Sequence, residues 1–491
     1  MATGNAARAA KTLGVSSPGF VKAMTLTDAT MLVAGSMIGS GIFIVSADMA
    51  RTLGSPFWLL IAWLLTGVMT LLGALAYGEL AAMYPRAGGQ YVFLREAMGP
   101  LMGFLYGWTL FVVIQTGTIA AVGVAFGRFF GVLWPAISPE RFGWFPQFNV
   151  QIRGVLFELG LTPQRLVALI TIWGLTWINL RGVREGKFVQ TTLTIVKTGA
   201  LAALILLGLT IGRNAEAVAT NFGSGFFGDG ALGGGFTSVF VLAFGAALVG
   251  SLFSSDAWHG VTSAAAEVKD ATRNLPRALL LGTGLVTVLY LLANVSYLSV
   301  LPFEALQGAP EDRVGTAVAQ GIFGSSGAAL MAVAILISTF GCNNGLILAG
   351  ARVYWAMAKD GLFFKKAGIL SAAGVPAWAL VAQAIWTSVL CLTGTYGQLL
   401  DFVIFAALVF YALTTAGLFV LRVKRPDLPR PYKAVGYPVL PALYIVLAVF
   451  VAVVLLVADK TRVQALSGLV VVLLGVPVYF FTRRSITGPR L

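Results

Sequence analysis

The sequence predicts an all-α integral membrane protein with twelve transmembrane helices, of which the first and the sixth are broken near their centres. The chain is 58% hydrophobic and only 11% charged, with a mean hydropathy of +0.87, which is too apolar for a soluble globular protein. Apolar segments close to the length of about 20 residues that crosses a bilayer recur along the chain. Two of them are interrupted, although a broken helix is tolerated in lipid only where protein or a cavity surrounds it.

The twelve predicted spans divide the chain into a core, an appended helix pair and two tails. Residues 1–27 form a polar tail without a small-residue cleavage site, so we expect no signal peptide there. Residues 28–422 would form a core of helices 1–10, residues 423–482 a cytoplasmic loop with helices 11 and 12, and residues 483–491 a second tail. The fourth span is the weakest, because Trp173, Trp177 and Asn179 crowd its end. The spans cover residues 28–52, 56–83, 98–128, 164–180, 189–212, 236–266, 278–301, 327–358, 376–394, 397–421, 437–458 and 463–482.

The formal net charge of +14 orients the chain in the membrane. With both tails in the cytoplasm, the cytoplasmic segments hold 23 of the 33 Lys and Arg residues, which is the positive-inside bias. This basicity favours anionic lipid and requires no nucleic acid. We therefore expect a multi-pass protein of the cell membrane, plasma or inner, with lipid as a partner.

Few side chains are available for enzymatic chemistry. Cys342 and Cys391 both fall within predicted helices, which argues against a disulfide framework. His259 is the only histidine, so these residues cannot build a zinc or nucleophilic site. No phosphate-binding P-loop motif is present. We predict neither an enzyme nor an ATP-driven pump, and no cofactor, metal or catalytic residue.

The first span is interrupted by the run Gly-Ser-Met-Ile-Gly-Ser-Gly at residues 35–41. Each glycine costs a helix about 0.8–1.0 kcal/mol relative to alanine. Where the helix resumes, at about Ser40, free N–H groups and the positive end of the helix dipole suit a carboxylate. A kink packed against small residues is the alternative. The candidate binding residues are Ser36, Ile38, Gly39, Ser40 and Gly41.

The sixth span is interrupted by the polar run from Phe253 to Gly260. The carbonyls orphaned there suit an ammonium group, and an ammonium site beside a carboxylate site describes an α-amino acid. Phe253 could close over the ligand or simply pack in the core, and Ser254 lies beside it. Asp256 could strengthen the ammonium site, read a polar side chain or carry a proton, since an ionisable residue within a span suggests function. A structural pair with His259 stays equally open.

Two breaks at matching places predict two inverted repeats, helices 1–5 and 6–10, with the substrate site between them. Lys197 is the only lysine well inside a span, and its expected partners are the carbonyls freed at the first break. It could be a fixed cation or a proton carrier. Snorkelling to the interface looks strained, because Lys187 is ten residues away, or about 15 Å along a helix.

Two further predictions concern the cytoplasmic side. Glu79 and Glu267 would pair with Arg86, Lys269 or Arg273, either in an inner gate or as solvated surface pairs. Residues 86–98 would form an amphipathic helix on the cytoplasmic surface.

Several motifs in order resemble the amino acid–polyamine–organocation (APC) superfamily and, within it, the L-type amino acid transporter group. The resemblance covers nearly the whole chain. Its motifs lie at Gly35–Phe43, Tyr77–Leu80, Tyr84–Gly89, Tyr91–Phe93, Glu267–Asp270, Arg273–Ala278, Phe340–Gly345 with Arg352, and Arg425–Lys433.

The resemblance implies a LeuT-type fold that transports α-amino acids without sodium. It places Ser40 and Gly41 at the carboxylate site and Phe253 at the gating aromatic. It also places Lys197 at a sodium-replacing lysine, faced by Ser338 in helix 8. Animal members join a heavy chain through a cysteine between helices 3 and 4. Residues 131–165 contain none, so we expect no disulfide-linked heavy chain.

The sequence therefore predicts a sodium-independent secondary transporter of neutral α-amino acids that works by alternating access. It would act as an exchanger or as a proton-coupled symporter. The alternatives are a cationic amino acid or polyamine permease, which Asp256 keeps open, and a non-transporting amino acid sensor. A sensor would be expected to carry a large soluble signalling domain.

Overall fold

The computed structural model describes residues 20–137, 147–152, 155–228, 237–393 and 396–487. Helices occupy all twelve predicted spans, and we number them accordingly. Helix 3 contains a π-helical turn at Leu110–Ile114. The helices are helix 1 (Leu26–Met37 and Val45–Leu53), helix 2 (Pro56–Met83), helix 3 (Pro100–Thr109 and Gln115–Leu133), helix 4 (Pro163–Arg181), helix 5 (Val183–Leu209), helix 6 (Ser238–Ser254 and Gly260–Ser263), helix 7 (Ala271–Val300), helix 8 (Ser326–Lys359), helix 9 (Ala377–Thr393), helix 10 (Tyr396–Lys424), helix 11 (Val439–Val457) and helix 12 (Arg462–Thr487).

Within these described ranges, eight helices are long and apolar enough to cross a bilayer, namely helices 2, 3, 5, 7, 8, 10, 11 and 12. The first part of helix 6 and helix 9 are apolar but shorter. Helix 4, the weakest prediction, is not among the eight. The chain is therefore a multi-pass membrane protein, as its hydropathy predicts.

The start of helix 1 is tied to the end of the helix 6 region. Thr25 and Asp28 form a capping box, in which the backbone N–H of Thr25 donates to Asp28 Oδ2 at 2.9 Å. Just before it, Met24 N donates to Glu267 O and Lys269 N donates to Met24 O, both at 2.9 Å. Helices 1 and 6 therefore run side by side, which brings their breaks together.

The remaining core helices enclose this pair. Helix 7 packs along helices 1 and 2, and helix 8 packs along helices 1, 3 and 5. Helix 11 packs on helices 6 and 10. The two breaks consequently lie among protein helices, where exposed backbone groups are tolerated.

Two segments differ from expectation. Residues 86–98 do not form a surface helix: the helix Gln90–Met98 is largely buried beneath helices 3 and 10, and Gln90 donates to Thr414 Oγ1 at 3.0 Å. The segment between helices 3 and 4 contains an antiparallel hairpin of β1 (Gln147–Ile152) and β2 (Val155–Gly160), which hydropathy did not predict. Residues 1–19 and 488–491 of the predicted tails lie outside the described residues.

Candidate functional site

Helix 1 is broken where the glycines predict. Its first part ends at Met37, a 3-10 turn covers Gly41–Phe43, and α-helix resumes at Val45. Resumption is therefore a few residues later than the expected position near Ser40, because a 3-10 turn comes first.

Helix 6 is broken from Ser255 to His259. Its first part ends at Ser254 and only a short helix, Gly260–Ser263, follows. Within the break Ala257 has φ +63°, a left-handed conformation that side chains with a Cβ rarely adopt. The backbone therefore changes direction sharply at Ala257, the residue that follows Asp256.

A small cavity lies between the two breaks. Of the predicted site residues, Ser36, Gly39, Ser40, Gly41, Phe253, Ser254 and Asp256 line it. Ile38 does not line the cavity: its side chain is fully buried, and its carbonyl accepts a hydrogen bond from Lys197. Helices 3 and 8 add Thr118, Val122 and Cys342 to the lining, which sequence reasoning missed. These residues sit in regular helices, where no interruption of pattern marks them.

Lys197 fixes the helix 1 break. Its ammonium donates to Gly35 O at 2.5 Å, to Ile38 O at 2.6 Å and to Ser338 O at 3.2 Å. An ammonium has three donors, so these acceptors match its capacity. Ser338 Oγ lies 3.2 Å from Ile38 O and 3.0 Å from Gly39 O. The side chain of Lys197 is buried rather than snorkelling, and the structure brings Lys197 and Ser338 together at the break.

Tyr290 of helix 7 joins the two breaks. Its hydroxyl lies 3.0 Å from Met37 O and 3.0 Å from Ser254 O, the last helical residues before each break. A hydroxyl has a single proton, so it donates fully to one carbonyl at a time. No feature of the sequence around Tyr290 predicted this role.

Asp256 reaches His259 through a third residue. Tyr411 of helix 10 donates its hydroxyl proton to Asp256 Oδ1, and the Tyr411 hydroxyl oxygen lies 3.0 Å from His259 Nδ1. In the part of the chain that the structure describes, no basic side chain forms an ion pair with Asp256. The expected structural pair of Asp256 with His259 is therefore indirect.

The acidic residues at the cytoplasmic ends of helices 2 and 6 have different partners from those expected. Glu267 pairs with Arg352 of helix 8 at 2.8 Å, and Glu267 is fully buried. Glu79, also fully buried, accepts from Arg422 at 2.6 Å and lies 3.4 Å from Arg430. The expectation of partners in the adjoining loops, or of solvated pairs, is wrong. Helix packing brings distant arginines onto both carboxylates.

The amino-acid sequence is similar to those of known amino acid transporters. A family model for amino acid permeases matches residues 24–477. The serine/threonine exchanger SteT of Bacillus subtilis is 31% identical over 465 residues, 94% of this chain and 97% of the relative. The large neutral amino acids transporter small subunit 2 of Homo sapiens is 31% identical over 463 residues, 94% of this chain and 80% of the relative. The b(0,+)-type amino acid transporter 1 of Mus musculus is 29% identical over 463 residues, 94% and 87% of the two chains.

The match confirms the family that the motifs indicate, and it makes the protein a transporter of amino acids rather than an enzyme. The pocket lies between two broken helices, and the matched region includes both breaks and the helices that enclose them. The chain belongs to the amino acid permease family of the APC superfamily.

Proposed function

We propose that this permease exchanges neutral α-amino acids, without sodium, by alternating access around the pocket between the two breaks. The observation that carries the proposal is the pocket itself, which glycines and serines of helix 1 share with Phe253, Ser254 and Asp256 of helix 6. Backbone dipoles of opposite sign meet there, which suits a zwitterion. The substrate carboxylate would bind at Gly39–Gly41 and the ammonium at the end of helix 6, with Phe253 as the gate.

Lys197 supports independence from sodium. A sodium ion at the first break would need carbonyl oxygens as ligands, and the Lys197 ammonium already donates to two helix 1 carbonyls and one of helix 8. Because the Lys197 ammonium already occupies this position, no sodium ion is needed to bind these carbonyls.

The packing supports a LeuT-type arrangement with twelve spans. Helices 2 and 7 pack together, as do helices 3 and 8, and these are equivalent positions in repeats of helices 1–5 and 6–10. The charge bias supports cytoplasmic tails in a cell membrane. The absence of cysteine from residues 131–165 supports the lack of a disulfide-linked heavy chain.

The choice of neutral substrates has two supports. Two of the relatives are named for serine and threonine or for large neutral amino acids. The carboxylate of Asp256, which would otherwise favour a cationic side chain, is already engaged by Tyr411.

Exchange in proteoliposomes tests the proposal. Uptake of radiolabelled L-serine and L-leucine is measured with and without internal amino acid, in sodium or in choline buffer, with unlabelled competitors. We expect uptake that requires internal amino acid, is unchanged by choline and is inhibited by neutral amino acids. Dominant inhibition by L-arginine or a polyamine would instead establish the cationic permease. The absence of any uptake from vesicles that hold folded protein would favour a sensor. Protein-free vesicles are the control.

A further inference from the structure

Asp256 presents an unusual electrostatic situation. Its side chain is almost fully buried within a membrane span, and the described residues supply no cation to it. A buried carboxylate that is reached only by neutral donors, here the Tyr411 hydroxyl and the backbone N–H of Ala257, is still costly, and such a group is commonly neutralised by a proton or a bound cation. A neutral amino acid carries no net charge into the pocket. The proton is then the natural partner.

A continuous chain of polar groups leads away from this carboxylate. Tyr411 Oη contacts Asp256 Oδ1 and lies 3.0 Å from His259 Nδ1. On the other side of the ring, His259 Nε2 lies 3.4 Å from Tyr106 Oη of helix 3. Helices 6, 10 and 3 thus contribute to one line of four side chains.

The two ends of this line face two neighbouring cavities, which share Ser36 and Ala257 in their linings. Asp256 lines the pocket between the breaks, together with Ser40 and Phe253. His259 and Tyr106 line a second cavity, bounded by Gln115 and by helix 8. Both linings include polar side chains, Ser40 and Ser254 in the first cavity and Gln115 and Ser263 in the second, which are suitable partners for water that exchanges protons with the terminal groups.

We propose that Asp256, Tyr411, His259 and Tyr106 form a proton relay between these two cavities, and that this relay couples proton movement to amino acid transport. The inference rests on the proposed function, because it assigns a coupling role to groups beside that same pocket.

The transfer balances atom by atom. Asp256 takes a proton from water in the substrate pocket and becomes a neutral acid, and His259 begins with its proton on Nε2. The acid proton passes to Tyr411 Oη as the Tyr411 proton passes to His259 Nδ1. The Nε2 proton passes to Tyr106 Oη as the Tyr106 proton passes to water in the second cavity. The carboxylate is restored, and the ring keeps one proton, on Nδ1. It returns to its first tautomer when the ring rotates toward the second cavity, where water gives a proton to Nε2 and takes the one on Nδ1.

The resting geometry fits the end of this step. With its proton on Nδ1, His259 donates to Tyr411 Oη, and Tyr411 donates to Asp256. His259 Nε2 then accepts from Tyr106. Every donor in the line points toward the carboxylate, an order in which hydrogen bonds strengthen one another.

Other titratable groups around the relay are phenols, a thiol and a lysine. Tyr77 of helix 2 packs its ring against Tyr411 and His259, and Tyr444 of helix 11 lines a cavity with Asp256. Cys342 of helix 8 lines the substrate pocket. The nearest membrane-embedded lysine, Lys197, is bound to carbonyls of helices 1 and 8. None of these groups interrupts the line of four.

Tyr411→Phe breaks the relay while leaving every residue of the substrate pocket in place. Full-length protein is reconstituted with internal amino acid and a trapped pH dye, and uptake is compared at symmetric pH and with acidic exterior. For the wild type we expect the gradient to raise initial uptake above that at symmetric pH, with proton entry reported by the dye. Tyr411→Phe should lose this stimulation and the dye signal, so that its uptake with acidic exterior equals its own uptake at symmetric pH.

Tyr444→Phe is the matched control, because it removes a hydroxyl from a neighbouring tyrosine that does not belong to the relay. It should keep both activities. Should Tyr411→Phe fail to fold, His259→Gln interrupts the same line and should give the same selective loss.

The outcomes separate the two proposals. Wild-type exchange without any gradient effect would overturn the relay and leave the exchange function standing. A gradient effect that persists in both Tyr411→Phe and His259→Gln would also overturn it. Loss of wild-type exchange itself would instead contradict the proposed function.

Discussion

The two helix breaks solve opposite electrostatic problems with different means. The break in helix 1 exposes carbonyls, and the chain supplies Lys197 and Ser338 to satisfy Gly35, Ile38 and Gly39. The break in helix 6 places a carboxylate instead, and only neutral groups reach it, through Tyr411. A lysine of the chain binds the carbonyls at the first break. At the second break, no cation among the described residues binds the carboxylate of Asp256.

This difference indicates which break is fixed and which one responds to its surroundings. A cation bonded to three carbonyls holds helix 1 in one geometry, because separating it would leave several buried acceptors unsatisfied. The helix 6 break has a strained residue and an acid whose charge depends on protonation. We therefore expect a proton to act at the helix 6 break, while the helix 1 break keeps its geometry.

Lys197→Met should have the largest effect. It keeps most of the side-chain volume but removes the ammonium that donates to the carbonyls of Gly35, Ile38 and Ser338, so we expect a stability loss of about 3 kcal/mol, with uptake abolished. Thermal unfolding of the purified protein and proteoliposome uptake measure it. Lys365→Met, at an exposed lysine after helix 8, should change neither. Wild-type stability in Lys197→Met would show that the helix 1 break does not depend on its cation.

Gly41→Ala tests how closely the two breaks approach. A methyl group at Gly41 would lie 2.9 Å from Ser254 Cβ and 3.0 Å from Ser254 Cα, so the helices must separate. Overpacking of this kind costs about 1–3 kcal/mol, and we expect uptake to fall with it. Gly199→Ala is the control, because nothing lies within 4 Å of the added methyl group. Normal uptake by Gly41→Ala would mean that the contact is not required.

Ala257→Gly should have the smallest effect on stability, and it should stabilise the protein, whereas the two preceding substitutions destabilise it. Glycine adopts the left-handed conformation at +63° without the steric cost that alanine bears there. Relief of that cost should stabilise the protein by up to about 1 kcal/mol, after the greater freedom of glycine in the unfolded chain is subtracted.

Ala247→Gly, within the regular first part of helix 6, should instead destabilise by about 1 kcal/mol. Melting temperatures of the two variants shifted in the same direction would contradict the assignment of strain to the second break.

The sequence alone determined the membrane class, the places of the twelve helices, both breaks and the family. The length of apolar segments, clusters of glycine and polar runs are local patterns, so they can be read from the sequence without knowledge of the fold. Lys197 could also be assigned to the first break, because a lysine at mid-membrane has few possible acceptors.

Only the tertiary structure decided which distant side chains meet. Arg352 on Glu267, Arg422 on Glu79, Tyr290 across both breaks and Tyr411 on Asp256 all come from helices far along the chain. Each of these partners sits in an uninterrupted helix, so no pattern distinguishes it from its neighbours. The rotation of one packed helix against another selects the partner, and hydropathy carries no information about that rotation.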